Sequence, residues 1–94
     1  MTQGYIPNEL IEEILDRTDI VALIESYIPL KRRGRNYVGL CPFHLEDTPS
    51  FSVSPEKQMF YCFGCQKGGS ALTFVMEYEH LSFFEAAEKL AARA

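Results

Sequence analysis

The sequence predicts an α+β domain, in which a small antiparallel β-sheet is flanked by helices on its N- and C-terminal sides. Apolar residues recur at helical spacing over residues 7–29 and again over 70–92, whereas residues 30–69 form short strand-like runs separated by turns. With 94 residues, 47% of them hydrophobic and 23% charged, the chain has the size and composition of one globular domain over residues 1–94. No run approaches the ~18 consecutive apolar residues of a membrane helix, so no membrane partner is expected.

The first helical segment, residues 7–29, is expected to contain two helices. Pro7-Asn8 is a helix-start signal, and Asn8 is the expected N-cap because acidic residues follow it in the first turn. Asp19 is expected to cap the second helix, and Pro29 to end it. We find no chemistry in this segment, so its expected role is packing.

The middle segment is expected to form two antiparallel hairpins joined by a loop. Gly34-Arg35 is a two-residue hairpin signal between two strand-like runs. Residues 50–54 alternate polar and apolar side chains, and residues 58–62 are rich in β-prone residues. A hairpin, a loop and a second hairpin in this order favour an antiparallel sheet.

The last segment, residues 70–92, is expected to be helical. Ser70 is the expected cap of a helix that begins at Ala71, and Ser82 with Glu85 fits a capping box for a second helix. Gly68-Gly69 is expected to be a turn that leads into the first of these helices, since the sequence lacks the pattern of a nucleotide-binding phosphate loop.

All three cysteines and one of the two histidines form two closely spaced pairs, Cys41-x-x-His44 and Cys62-x-x-Cys65. Two such pairs are typical of a tetrahedral structural zinc site, and thiolates with imidazole favour zinc over magnesium or calcium. The 17 residues between the pairs hold a strand-turn-strand unit that can return the second pair beside the first. Gly64 suits the second turn because glycine tolerates positive φ. We expect one structural Zn²⁺, whose removal unfolds residues 37–67.

The alternative interpretation of these residues is three buried reduced cysteines and a surface histidine. An odd number of cysteines excludes a closed set of disulfides in the monomer. The first five residues lack the basic and apolar regions of a secretory signal, so the expected location is the cytoplasm, where cysteines bind metal or react more often than they pair. His80 is expected to be a helix-capping or surface residue, because four ligands already fill the site.

The net charge of −4 conceals a basic zone. Residues 31–67 carry six lysines and arginines against three acidic residues, and aromatic residues are interleaved with them. This mixture favours contact with single-stranded nucleic acid, although a solvated basic strand is the alternative. Phe51 and Phe60 are expected in the core. The candidate nucleic-acid contacts are Arg33, Arg35, Tyr37 and Lys57.

No catalytic residue is expected in this chain. Phosphoryl or nucleotidyl transfer needs clustered carboxylates that hold Mg²⁺, and the middle segment has only three dispersed acidic residues. The cysteines are assigned to metal, so no free thiolate nucleophile remains.

Four stretches of the sequence resemble the Cys-His-Cys-Cys zinc-binding domain of bacterial DNA primases. They are GRNYVGLCPFH (34–44), TPSFSV (48–53), FYCFGC (60–65) and the glycine pair 68–69, and the four ligand positions all match. The resemblance implies a zinc ribbon that engages the single-stranded DNA template and helps to start RNA primer synthesis in replication.

The resemblance also implies what accompanies this domain. Primases of this family carry an RNA polymerase core with an Mg²⁺ site, and a region that binds the replicative helicase. Neither fits in 94 residues. The chain is therefore expected to be a domain of a longer primase, a nucleotidyltransferase, and not to be catalytic alone. Its expected partners are single-stranded DNA, the polymerase domain in cis or in trans, and the helicase through the full-length protein.

Three other interpretations stay open at the level of sequence. A zinc ribbon can serve as a protein–protein adapter, and it can be a purely structural module. A ribbon from a phage or plasmid primase-helicase would share these motifs as well.

Overall fold

The structure is a computed structural model that describes residues 6–45 and 47–93. Two helices come first, then the strands, then two more helices. In chain order the elements are α1 (Asn8–Asp16), α2 (Ile20–Glu25), β1 (Lys31–Arg33), β2 (Asn36–Gly39), β3 (Phe51–Ser54), β4 (Met59–Cys62), β5 (Gly68–Gly69), α3 (Ala71–Glu79) and α4 (Phe83–Arg93). The predicted α+β class, with an antiparallel sheet between pairs of helices, is confirmed.

The five strands form one sheet in the order β1-β2-β3-β4-β5, and every neighbouring pair is antiparallel. The predicted hairpin at Gly34-Arg35 joins β1 to β2, and Gly34 takes a φ of +62° that glycine adopts readily. The turn predicted at Gly68-Gly69 is wrong, because these residues pair with Tyr61 and Phe60 as strand β5. Glycine has no side chain, so a strand of two glycines lacks the alternation of polar and apolar residues that predicts a strand.

The helix ends follow the predicted signals in part. Asn8 is not an N-cap: it is the first helical residue, and Pro7 takes the capping position with an extended backbone whose carbonyl accepts the N–H groups of Leu10 and Ile11. Helix α2 ends at Glu25, before Pro29, and Asp19 Oδ1 caps its start.

The two caps predicted for the last segment differ in outcome. Ser70 lies in the capping position of α3 with an extended backbone, but its side chain makes no capping hydrogen bond. The predicted capping box is confirmed at α4, where Ser82 N–H donates to Glu85 Oε1 (3.0 Å) and Glu85 N–H donates to Ser82 Oγ (3.1 Å).

The core lies between the helices and one face of the sheet. Alternate residues of β3 and β4 point into it, and Phe51 and Phe60 are buried as predicted. The ring of Phe74, on α3, lies 6.2 Å from that of Phe51 and 5.7 Å from that of Phe60. The largest fully buried side chains are Phe51, Phe60, Phe74, Ile20, Leu23, Ile24, Leu90, Val53, Val75 and Cys62.

A polar cluster joins the ends of α2 and α3 to the middle of α4. The Tyr27 hydroxyl, just beyond α2, donates to the Glu79 carboxylate near the end of α3, which also accepts from Lys89 Nζ on α4 at 2.6 Å. The Tyr27 ring packs against Phe74 and Tyr78. Burial, aided by the hydrogen bond to Glu79, raises the pKa of Tyr27 to about 12.

Candidate metal centre

The strand register explains why the two Cys/His pairs meet. Gly39 at the end of β2 and Cys62 at the end of β4 both pair with Phe51, the first residue of the strand between them. The chain leaves β2 into Cys41 and leaves β4 into Cys65, so both turns lie at the same end of the sheet. One metal-ligating atom from each of Cys41, His44, Cys62 and Cys65 lies within 4.8 Å of all the others.

Backbone N–H groups point at two of the sulfurs. In the first turn, Phe43 N–H donates to Cys41 Sγ at 3.4 Å. In the second, the N–H groups of Gly64 and Cys65 donate to Cys62 Sγ at 3.3 and 3.5 Å. Such bonds favour the thiolate form, which is the form that binds metal.

The second turn is closed by its own backbone. Cys62 N–H donates to the Lys67 carbonyl, and Gln66 N–H donates to the Cys62 carbonyl, both at 2.8 Å. The positive φ that we expected at Gly64 occurs instead at Gln66, with a φ of +65°. The left-handed residue of this turn is therefore Gln66, two residues before the chain enters β5.

The donor set fits a tetrahedral zinc ion. The sulfurs of Cys41 and Cys65 are 3.8 Å apart, far beyond the ~2.05 Å of a disulfide. Two sulfurs at about 2.3 Å from a tetrahedral zinc ion are separated by about 3.8 Å. The Nδ1 atom of His44 is buried. Zinc would therefore be held by Cys41, His44, Cys62 and Cys65, where it would join the two turns and supply structural stability.

The pKa values of two thiols are shifted in opposite directions. Burial raises the pKa of Cys41 to about 12, against the opposing effect of the Phe43 N–H. Burial also acts to raise the pKa of Cys62, but hydrogen bonds from Cys65 N–H, the Ser50 hydroxyl and Gly64 N–H outweigh it and lower that pKa to about 7. Of these two thiols, Cys62 is the one whose surroundings better stabilise the thiolate.

An ion pair and a histidine lie outside the four-residue group. Lys67 Nζ is 3.0 Å from Glu77 Oε1, and this carboxylate raises the pKa of Lys67. His80 is exposed at the C-cap of α3 with a φ of +56°, as expected of a capping or surface residue.

Comparison with known proteins agrees with this geometry. Residues 6–94 match the CHC2 zinc finger family, nearly the whole chain. The chain belongs to the CHC2 zinc finger family.

Relatives of this CHC2 zinc finger include DNA primases. The chain is 63% identical to the DNA primase of Geobacillus stearothermophilus over 89 residues, which is 95% of this chain and 15% of that protein. It is 56% identical to the DNA primase of Pseudomonas aeruginosa over 97% of this chain and 14% of that protein. The chain therefore spans about a seventh of the length of these curated relatives.

A crystal structure of the Aquifex aeolicus primase, containing zinc-binding and RNA polymerase domains, is similar to this CHC2 zinc finger. The TM-score is 0.86 at 54% identity, over 89% of this chain and 21% of that one. The resemblance noted in the sequence is thus confirmed. Separately, none of the helices in residues 6–45 and 47–93 is long and apolar enough to span a membrane.

In this CHC2 zinc finger, one face of the sheet is turned away from the core. We call it the outer face. Directly paired residues share a face, so one row crosses all five strands. That row consists of Lys31, Val38, Ser52, Tyr61 and Gly68.

The predicted nucleic-acid contacts do not all lie on one face. Arg33 pairs with Asn36, two residues along β1 from Lys31, so it lies on the outer face. Arg35 is exposed in the turn between β1 and β2, and Lys57 is exposed in the turn between β3 and β4. Tyr37 pairs with buried Val53, so it belongs to the inner side, where it packs against the core. The structure thus separates Tyr37 from the outer-face residues.

The outer face carries an aromatic pair that the sequence analysis did not assign as a contact. Tyr61 is 40% exposed and Phe63 is 72% exposed, with ring centroids 4.9 Å apart in an edge-to-face arrangement. Together with Lys57 and Gly68 they line a groove of about 450 Å³. Tyr61 alternates with buried Phe60 and Cys62 in β4, so period-two alternation is the signal that would have placed it outside.

Proposed function

We propose that this chain is the zinc-binding domain of a DNA primase, and that Cys41, His44, Cys62 and Cys65 hold one structural Zn²⁺. The observation that carries the proposal is the convergence of one ligand atom from each of these residues within 4.8 Å. Four protein ligands complete a tetrahedral site and leave no open position for catalysis, so the ion joins the two turns.

The zinc assignment is tested by native mass spectrometry of the 94-residue chain. The expected result is one zinc per chain, lost when His44→Ala or Cys65→Ala is introduced. The matched control is His80→Ala, which removes the other histidine and is expected to keep full zinc content. A zinc-free native chain, or equal loss in the His80 variant, would contradict the assignment.

The whole protein is proposed to be an enzyme, a DNA-directed RNA polymerase that makes primers for replication in the cytoplasm. This chain contributes no catalytic residue to it. The similar Aquifex aeolicus chain contains zinc-binding and RNA polymerase domains together, which supports a polymerase domain in cis. In this proposal, the Mg²⁺ site and the region that binds the replicative helicase lie in the remainder of the longer protein.

The proposed role of this domain is to bind the single-stranded DNA template and help to start the primer. The outer face supports it, because exposed rings offer stacking platforms and cations attract phosphates. Lys57 lines the same groove as the Tyr61 and Phe63 rings. Arg33 lies on the same face of the sheet, on β1, and Arg35 is exposed in the turn that follows it. The inner position of Tyr37 disfavours it as a contact for a strand on the outer face.

Template binding is tested by fluorescence anisotropy with a short labelled single-stranded DNA at several salt concentrations. Each phosphate contact adds about 0.7 to the slope of log affinity against log salt. Replacing Arg33 or Lys57 with glutamine should weaken binding and lower that slope by about this amount. Arg17→Gln is the matched control, because Arg17 is ion-paired with Glu13 on α1. Equal affinities for all variants would exclude this surface.

A protein adapter is the second candidate function. Two apolar side chains beside the first metal turn support it, since Leu40 is 53% and Leu45 100% exposed. The anisotropy experiment separates the candidates: zinc-loaded chain that shows no salt-dependent DNA binding favours the adapter.

A further inference from the structure

The three sulfurs of the proposed centre differ in burial. Cys62 has no exposed surface and Cys41 is 5% exposed, whereas Cys65 is only partly buried. Cys65 is therefore the cysteine of the centre that presents the most surface to an electrophile in solution.

The sulfurs also differ in their hydrogen-bond donors. Cys62 Sγ lies within reach of three donors: Gly64 N–H (3.3 Å), Cys65 N–H (3.5 Å) and the Ser50 hydroxyl (3.6 Å). Among the described residues, the backbone donor to Cys41 Sγ is Phe43 N–H at 3.4 Å. In the described part of the chain, the polar contact of Cys65 Sγ is with the sulfur of Cys41, which is itself a ligand.

Both differences make Cys65 more reactive than Cys62. With zinc bound, all three sulfurs are thiolates, and a donor that points at a thiolate stabilises its charge and makes that sulfur a weaker nucleophile, while burial blocks attack. We propose that Cys65 is a modification site built into the centre, the sulfur that alkylating electrophiles attack first, and that Cys62 is the last. This inference rests on the zinc centre proposed above.

Ser50 is a positioning residue in this proposal. Its carbonyl accepts Phe63 N–H at 2.9 Å while its hydroxyl lies 3.6 Å from Cys62 Sγ, so it ties the start of β3 to the second turn twice. Loss of the hydroxyl removes one of the three donors around Cys62 and leaves the surroundings of Cys65 unchanged.

The order is tested with iodoacetamide on zinc-loaded chain whose metal content has first been verified. The cysteine sulfur bonds to the methylene carbon, the carbon–iodine bond breaks and iodide leaves. Less than one equivalent of reagent is used, so that singly modified protein is analysed by peptide mass spectrometry. Cys65 should carry at least about tenfold more label than Cys62, with Cys41 between them.

Several outcomes would overturn the proposal. They are labelling of Cys41 or Cys62 ahead of Cys65, and equal labelling of all three, which would mean that reaction follows global unfolding. Absence of zinc at the start would refute the proposed centre instead, so the two failures are distinguishable.

Variants of Ser50 provide the second measurement. Ser50→Ala should raise the labelling rate of Cys62 several-fold and leave that of Cys65 unchanged, whereas Ser50→Thr, which keeps a hydroxyl, should restore it. Ser52→Ala is the matched control, since Ser52 pairs with Tyr61 on the outer face. An equal rate at Cys62 in all of these proteins would remove Ser50 from the proposal.

Discussion

Gly68 leaves the space in which the ring of Tyr61 lies on the outer face of the sheet. A Cβ atom added at Gly68 would be 2.8 Å from Tyr61 Cδ1, closer than real Cβ contacts come, and 3.0 Å from the Phe60 carbonyl oxygen, which is tighter than most such contacts. The absence of one side chain on β5 therefore sets the position of an aromatic ring on β4, and with it the shape of the groove that Tyr61, Phe63 and Lys57 line.

Gly68→Ala is expected to destabilise the domain by about 1–3 kcal/mol, because the added methyl group overpacks the site. In a Tyr61→Ala background the cost should fall, since the ring that the methyl group meets is gone. Urea unfolding of the wild type, both single variants and the double variant gives the coupling energy. An identical cost in the two backgrounds would mean that the conflict lies with the backbone alone.

At the scale of elements, helix α2 shows what the sequence can and cannot reveal. Asp19 was identifiable as its cap because the signal is local: its side chain accepts the N–H groups of Val21 and Ala22. The Ile20 N–H is bonded instead to Gln58 Oε1 at 2.9 Å, across 38 residues of sequence. No sequence pattern predicts that a glutamine in a turn between strands accepts a hydrogen bond from a distant helix, so this contact is seen only in the folded chain.

Asp19→Ala is expected to lower the free energy of unfolding by about 1 kcal/mol, the usual cost of losing a capping side chain. Asp16→Ala is the matched control, because Asp16 is an exposed acidic residue at the end of α1 and caps no helix start. Thermal unfolding with zinc present measures both. Equal destabilisation by the two variants would show that charge, and not capping, is responsible.

The Tyr27 cluster should make stability depend on alkaline pH. The pKa of Tyr27 rises from 10.0 to about 12 on folding, so the folded chain holds the phenol proton more tightly. Stability from this group is complete below pH 10 and is lost as the pH rises towards 12. Urea unfolding from pH 8 to pH 12 should show a steeper decline for the wild type than for Tyr27→Phe. Parallel declines would exclude this group as the cause.

For the molecule as a whole, the ligand set and the antiparallel sheet could be read from spacing and alternation, because both repeat at short range. The division of the basic and aromatic residues between the two faces of the sheet could not be predicted from the sequence. It depends on register, which pairs Tyr37 with Val53 and aligns Lys31 with Tyr61 across the strands between them. A shift of one residue would exchange the two faces, and single residue types do not fix it.

The metal turns are part of the core. Phe43, inside the first turn, packs its ring 6.2 Å from Phe51, 6.0 Å from Phe60 and 5.7 Å from Phe74. Loss of the turn therefore removes a ring shared by two strands and a helix.

Zinc removal is expected to unfold residues 37–67 and to loosen α3. Structural zinc contributes about 10–16 kcal/mol in zinc-finger peptides, which matches or exceeds the 5–15 kcal/mol that holds most domains folded. Hydrogen exchange after chelation should show loss of amide protection in β2, β3 and β4. Adding Zn²⁺ back should restore it, and Mg²⁺ should not. Unchanged protection in a chain shown to be zinc-free would contradict the prediction.

The separation of the two metal turns along the chain also has a consequence in time. Cys65 is synthesised 24 residues after Cys41, which is roughly 1–5 s at ribosomal rates of about 5–20 residues per second. For most of that interval, until Cys62 is added, the nascent chain offers one thiol and one imidazole, half of a coordination shell. The four-ligand site can therefore be completed only after the second turn has left the ribosome.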